Sequence, residues 1–254
     1  MLSYYEKLLR KLDRPPGAPN WVRFVGDTEL ESAKKIYTFV KSQPPFNYLQ
    51  GYKAAKDTVE LHIPAEEAIK VASSKGAPLG RKRNKEFVEA FLEHDKARCY
   101  SASNPIDFET EYFRVSRAVK VPVAPVSIIR EHGNFVPLFM CGWETIPLRL
   151  RQRRLLMTVY EDAFFSLTDY QKSPGEVLFF PKLDGAKKRS AVTWMRSDYE
   201  LLSAKQLNEC VEIFLLAREI VRKRILEEME HEIAAGSAGR GPDGSAGSSP
   251  PPPK

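Results

Sequence analysis

The chain has too few cysteines to build a disulfide framework and too few histidines to suggest a metal centre. Its three cysteines, Cys99, Cys141 and Cys210, fall at no metal-ligand or redox spacing, and their number is odd. Reduced thiols and a cytoplasmic location are expected. The four histidines, His62, His94, His132 and His231, stand apart from one another and from the cysteines, so neither zinc nor another cofactor is expected. No run of about 18 apolar residues is present, which excludes a membrane-spanning helix. Met1–Lys7 lacks the apolar stretch of a secretory signal and reads as the start of an amphipathic helix. There is no Gly-x-Ser-x-Gly elbow, phosphate loop or dinucleotide fingerprint, so the commonest hydrolase and nucleotide chemistries have no foothold.

What remains is an ordinary globular composition: 254 residues, 43% hydrophobic and 28% charged. The net charge is +6 and the isoelectric point about 9.1, a mild excess that permits a polyanionic partner without demanding one. Residues 234–254 repeat Gly-Ser-Ala-Gly and end in prolines before Lys254, so they cannot bury a core and read as a disordered tail. The rest suffices for one large domain or two small ones. Residues 79–233 read as the main α/β domain, and residues 1–78 as an N-terminal α/β extension or small module.

In that extension Leu2–Leu12 carries Leu2, Tyr5, Leu8, Leu9 and Leu12 at helical spacing. Trp21–Val25 reads as a short strand. Thr28 with Glu31 is a capping box opening a second helix. Thr58–Ile63 alternates like a strand, and Pro64 opens another helix.

In the main domain a helix follows Arg81 with Phe87, Val88, Phe91 and Leu92 as its apolar stripe. Residues 101–107 read as loop, and Tyr112–Ala118 as a strand. Val119–Arg130 reads as a second strand that Pro122 and Pro125 confine to an edge or a bulge. Glu131–Asn134 is a turn into the apolar strand Phe135–Trp143. Thr145 is the expected N-cap of a helix that buries Leu148, Leu155, Leu156 and Val159. Val177–Phe180 reads as a strand covered on both faces, and Ala191–Met195 as one more. Ser203 with Gln206 caps a long helix through Ile213, Leu216, Ile220 and Ile225, whose charged end, Glu227–Glu232, is expected in solvent. The expected fold is a mixed central sheet flanked by helices, in the order helix-strand-strand-strand-helix-strand-helix.

That order of elements, over about residues 81–233, resembles the core of the PD-(D/E)xK nuclease-like superfamily. The resemblance implies a sheet whose second strand offers an acid and whose third offers an acid-x-lysine triplet, together holding Mg²⁺. Here the corresponding strands read VPVAPVSII and FVPLFMCGW, without an acid, and no Asp or Glu in the chain has a lysine two residues on. No catalytic residue carries over. The resemblance then implies a degenerate core without nuclease chemistry.

Three basic clusters are candidate phosphate contacts. Arg81, Lys82, Arg83 and Lys85 sit at a helix start, where cations oppose the helix dipole and an anionic partner would relieve them. Arg149 and Arg153, four apart, share a helix face that reads either as a phosphate stripe or as a solvated surface. Lys187 and Lys188, followed by Arg189, form a third patch on a basic loop. The leading expectation is a non-catalytic protein that binds nucleic acid or a partner acting on it. An alternative is an assembly subunit, docking a protein partner or a second copy through the C-terminal helix. A third is a metal-dependent nuclease using Asp107, Glu109, Glu111 or Glu161 at an unfamiliar site.

Overall fold

The computed structural model describes residues 2–100 and 104–238. Its order is α1 (Leu2–Asp13), α2 (Ala18–Phe24), α3 (Glu29–Lys41), α4 (Leu49–Leu61), α5 (Ala65–Ser73), α6 (Pro78–Arg98), β1 (Asn104–Ile106), β2 (Glu111–Arg114), β3 (Lys120–Val123), β4 (Ser127–Glu131), β5 (Asn134–Cys141), α7 (Leu150–Tyr160), β6 (Glu176–Phe179), β7 (Val192–Met195) and α8 (Ala204–Ala238). The mixed α/β class is as the sequence implies.

The main sheet runs β1-β4-β5-β6-β7, antiparallel except where β5 and β6 lie parallel, and β2 and β3 form a separate two-stranded ribbon. Pro122 and Pro125 explain the split. Pro122 sits in β3, which pairs only with β2, so the amide it lacks faces no second strand. Pro125 falls between β3 and β4, where the chain leaves one sheet for the other. The expected strand over residues 119–130 is thus two strands in two sheets.

Alternation along the central strands feeds two cores. Phe139, Cys141, Val177 and Phe179 face one side, and Leu138, Met140, Leu178 and Phe180 the other. Each such apolar side chain contributes about 1.5–3 kcal/mol by leaving water. Helices α1–α3, α7 and α8 cover the first face, and α4–α6 the second. Residues 2–77 therefore lie on both sides of the sheet, with Trp21 packed against Phe113 of β2 and Phe214 of α8.

Two expected strands are helices. Ala18, Trp21, Val22 and Val25 are all buried, an i, i+3, i+4, i+7 series, and Pro19 supplies the favoured first turn. Thr58–Ile63 alternates over only three apolar residues. The longer series Gly51, Ala54, Ala55, Thr58 and Val59 wins, and Leu61 is left exposed. The stretch that read as loop holds β1, an edge strand on β4. Helix α7 starts at Leu150 rather than after Thr145, with the Arg149 N–H donating to Gln152 Oε1 at 3.0 Å.

Helix α8 buries Cys210, Phe214, Ala217, Val221 and Ile225, while Leu216 and Ile220 are exposed. Its charged end does not simply enter solvent. Glu228 accepts from Lys41 at 2.6 Å and from Tyr37, both on α3. The helix continues through Ala238, past the point where the tail was expected to begin, and residues 239–254 of that tail lie outside the described residues. No helix among the described residues is long and apolar enough to cross a membrane.

Candidate functional site

The basic run 81–85 lies on α6, which Pro78 opens, so it sits a turn further into the helix than the sequence suggested. The Arg81 N–H is already bonded to Ala77 O at 3.0 Å and is not available to an anion. Arg81 and Lys82 are exposed and enter no ion pair among the described residues. Arg83 is bound to Glu86 at 3.1 Å and to Glu144. Lys85 lies 3.7 Å from Glu89, a loose surface pair worth well under about 1 kcal/mol.

Lys187 and Lys188, on the β6–β7 connection, line a groove of about 580 Å³ together with Lys182 and with Glu86, Glu89 and Glu93 of α6. One wall is cationic and the other anionic. The connection is anchored by Arg189, which the sequence marks only as the third member of that basic run. Arg189 is buried and donates to Gly142 O at 2.7 Å, Phe180 O at 3.4 Å and the Tyr48 hydroxyl at 3.1 Å. Its Nε lies 3.5 Å from Glu86, the same acid that holds Arg83. Glu86 therefore joins the basic run of α6 to the basic loop. Of the eight nominated cations, Arg81, Lys82, Lys187 and Lys188 are exposed on these two joined segments and have no acidic partner among the described residues.

Arg149 and Arg153 do not join them, nor do they act together. Arg149, as the N-cap, turns to Asp27 at 2.8 Å and to Glu31, where α3 begins. Arg153 lies 5.2 Å over the Trp194 ring and donates to Leu148 O at 2.9 Å. Both guanidiniums are spent on tertiary structure. Glu31 feels the same cluster: Lys35 first, then the Asp27 N–H and Arg149, bring its carboxyl down to about 2.

The acids tell a different story from the one the strands suggested. Glu131 is the last residue of β4 rather than a turn residue, and Glu176 opens β6. Both carboxylates meet at one end of the sheet, with Arg98 between them. Its two terminal nitrogens reach Glu131 at 2.6 Å each, and Nη2 also reaches Glu176 at 2.6 Å. Glu176 is 3% exposed and accepts from the Tyr100 hydroxyl as well, which lies 3.2 Å from His94 Nε2. Hydrogen bonds donated to Glu131 and Glu176 hold the Arg98 guanidinium charged, whereas burial pulls His94 below the ordinary histidine range. Two carboxylates at a sheet end suggest a cation site; here a guanidinium fills it.

The other nominated acids stay apart. Glu161 receives both a 2.7 Å bond from Arg196 Nε and a second from Nη2. Asp107 and Glu109 are exposed. Among the described residues no three His, Cys, Asp or Glu side chains cluster as metal ligands would. All three cysteines are free, Cys99 exposed and the other two buried. Comparison with protein families, with curated proteins and with solved structures finds no match to this chain.

Proposed function

We propose that this is a binding protein rather than a catalyst, and that it grips the phosphate backbone of a nucleic acid with Arg81, Lys82, Lys187 and Lys188. One observation carries the reading: these four cations are exposed, without acidic partners among the described residues, on two segments that Glu86 and Arg189 tie together. Lys85 and Arg83 add to the local potential, but their partners partly neutralise them. Contacts of this type position a backbone and read no bases, so binding is weakly sequence-selective and falls steeply with salt. The nuclease-like reading of the core remains part of the proposal in its degenerate form. It rests on the strands over residues 121–129 and 135–143, which carry no acid. Fluorescence anisotropy with a labelled duplex and a labelled single strand, at low and moderate salt, tests it. Retention at low salt that weakens on Lys187→Glu with Lys188→Glu supports the reading, and no retention of either probe removes it.

A second reading, docking of a protein partner or second copy on α8, has its own observation. Leu150 is 65% and Leu216 58% exposed, and both line a groove of about 620 Å³ between α7 and α8. Exposed leucines at such a groove mark association surfaces. Light scattering distinguishes the two readings: an oligomer indifferent to nucleic acid and dissociated by Leu216→Glu favours the second.

A further inference from the structure

A hollow of about 640 Å³ lies where α2, α4 and the β3–β4 connection meet the end of β5. That volume suits a small organic ligand. Phe108, Phe139 and Trp143 line it, and Phe139 stacks on Tyr160 at 4.1 Å with 15° between the rings, so the inner wall is flat and aromatic. Tyr160 also lines the hollow, is 1% exposed, and its hydroxyl has no hydrogen-bond partner among the described residues. That oxygen is not sealed off: it opens onto the hollow, where water or a ligand can meet it.

Tyr52 stands nearby. Its oxygen accepts the Gly142 N–H at 3.0 Å, which leaves its own proton to donate. Burial pushes both phenols above the ordinary tyrosine range, so both remain O–H donors through physiological pH. The Cys141 thiol beside them is likewise pushed up by burial and is an inert wall rather than a nucleophile. Lys53 and Lys56 of α4 stand at the lining too. Lys53 is paired with Asp57 at 2.6 Å, while Lys56 lies 5.5 Å over the Phe108 ring and only 3.7 Å from Glu60.

We propose that this cavity binds a small aromatic carboxylate. Its ring packs along Phe108, Phe139 and Trp143, and its carboxylate accepts from Tyr52 and Tyr160, with the loosely paired Lys56 at the rim beside the Lys53–Asp57 pair. The arrangement matches an anionic acceptor on a planar apolar body: two neutral donors inside, aromatic faces between, and one loosely held amine outside. It is independent of the basic groove and stands or falls separately.

Titration calorimetry with 2-naphthoate as probe tests it, using the full chain. The expected result is saturable binding of one probe per chain, weakened about tenfold by Tyr160→Phe and to a similar degree by replacing the probe with 2-naphthylmethanol. Ala124→Trp, at an exposed position on the lining, fills the entrance and abolishes binding without disturbing the core. Absence of saturable heat with 2-naphthoate overturns the proposal. So does undiminished binding by Ala124→Trp, which decides the matter even if Tyr160→Phe fails to fold. Equal affinity for the alcohol and the acid overturns the assignment of an anionic ligand.

Discussion

Arg189 Nε lies 3.5 Å from the half-buried Glu86 carboxylate of α6, while its Nη atoms hold Gly142 O, Phe180 O and the Tyr48 hydroxyl, so one guanidinium sets the β6–β7 connection beside α6. The loop carries Lys187 and Lys188, and the helix carries Arg81 and Lys82, so the pair holds two basic segments in one register. Arg189→Met keeps the apolar stem but strips three carbonyl and hydroxyl acceptors of their donor. A loss of about 2–4 kcal/mol in urea unfolding is expected, because the acceptors lose their donor while Glu86 keeps only Arg83. Salt-dependent retention of nucleic acid should fall with it, although no cation proposed to touch phosphate has been changed. A variant with unchanged stability would remove the anchoring role.

Removing Arg98 exposes a different dependence. Arg98→Ala leaves Glu131 and the buried Glu176 facing each other, and losing one member of a buried ion cluster costs about 3–5 kcal/mol. The double variant Glu131→Gln with Glu176→Gln in that background should recover part of the loss, since it removes the stranded charges. Denaturant midpoints for the three proteins measure this directly. If the double substitution adds to the damage, the carboxylates are not the source of it.

The same network sets a pH dependence. Burial lowers the folded-state value of His94 below its ordinary 6.5, so the unfolded chain binds the proton more readily. Stability from this group is present above the unfolded value and is lost as pH falls below it, through the lower folded value. The charged groups facing His94 oppose one another: Glu176 and Asp95 favour the proton, while Arg98 disfavours it. Thermal melts between pH 7.5 and 5 should show a declining Tm. His94→Gln should flatten that decline, and an unaltered slope would assign the effect elsewhere.

Gly175 supplies a backbone test. It turns the chain into β6 with φ of +57°, and a Cβ there would run into the Phe165 ring. Gly175→Ala combines left-handed strain with overpacking, and about 2–4 kcal/mol of destabilisation is expected. Gly133, also at positive φ but with open space around its missing Cβ, carries only the strain. Its alanine variant should lose about 1 kcal/mol. Equal losses at the two sites would contradict the role given to Phe165.

Local rules made much of this fold legible in advance. The Thr28 hydroxyl accepts the Glu31 N–H at 3.2 Å, though the Glu31 carboxylate reaches the Asp27 N–H instead of closing on Thr28. Ser203 and Gln206 form both bonds of their box. The turn at His132 and Gly133 takes positive φ and closes the β4–β5 hairpin. Val177–Phe180 is buried throughout, as an uninterrupted apolar run implies. Local reading failed where a short alternation competed with a longer helical series, as at Thr58–Ile63. It failed again on α8, where Leu216 and Ile220 offered a plausible stripe but Phe214, Ala217 and Val221 were the ones buried.

The candidate site was only half legible, for a related reason. The clusters were visible, but their availability depends on partners far away in the chain. Arg149 is consumed by Asp27 and Glu31, more than a hundred residues earlier, and spacing alone carries no trace of that. Glu131 and Glu176 are likewise brought together by Arg98 across the sheet. Arg189 looked like one more member of a basic loop, and only its burial shows it to be the loop's anchor.

The salt dependence of nucleic-acid binding counts the phosphate contacts of Arg81, Lys82, Lys187 and Lys188. With four phosphate contacts, log Kobs should fall against log salt with a slope of about −3 to −4 for duplex DNA. Lys187→Ala with Lys188→Ala should reduce that slope by about 2, whereas Arg149→Ala, whose guanidinium is already spent on Asp27 and Glu31, should leave it unchanged. A wild-type protein that retains no nucleic acid at low salt, or a slope that responds to Arg149 and not to the two lysines, would rule these four cations out as the phosphate contacts.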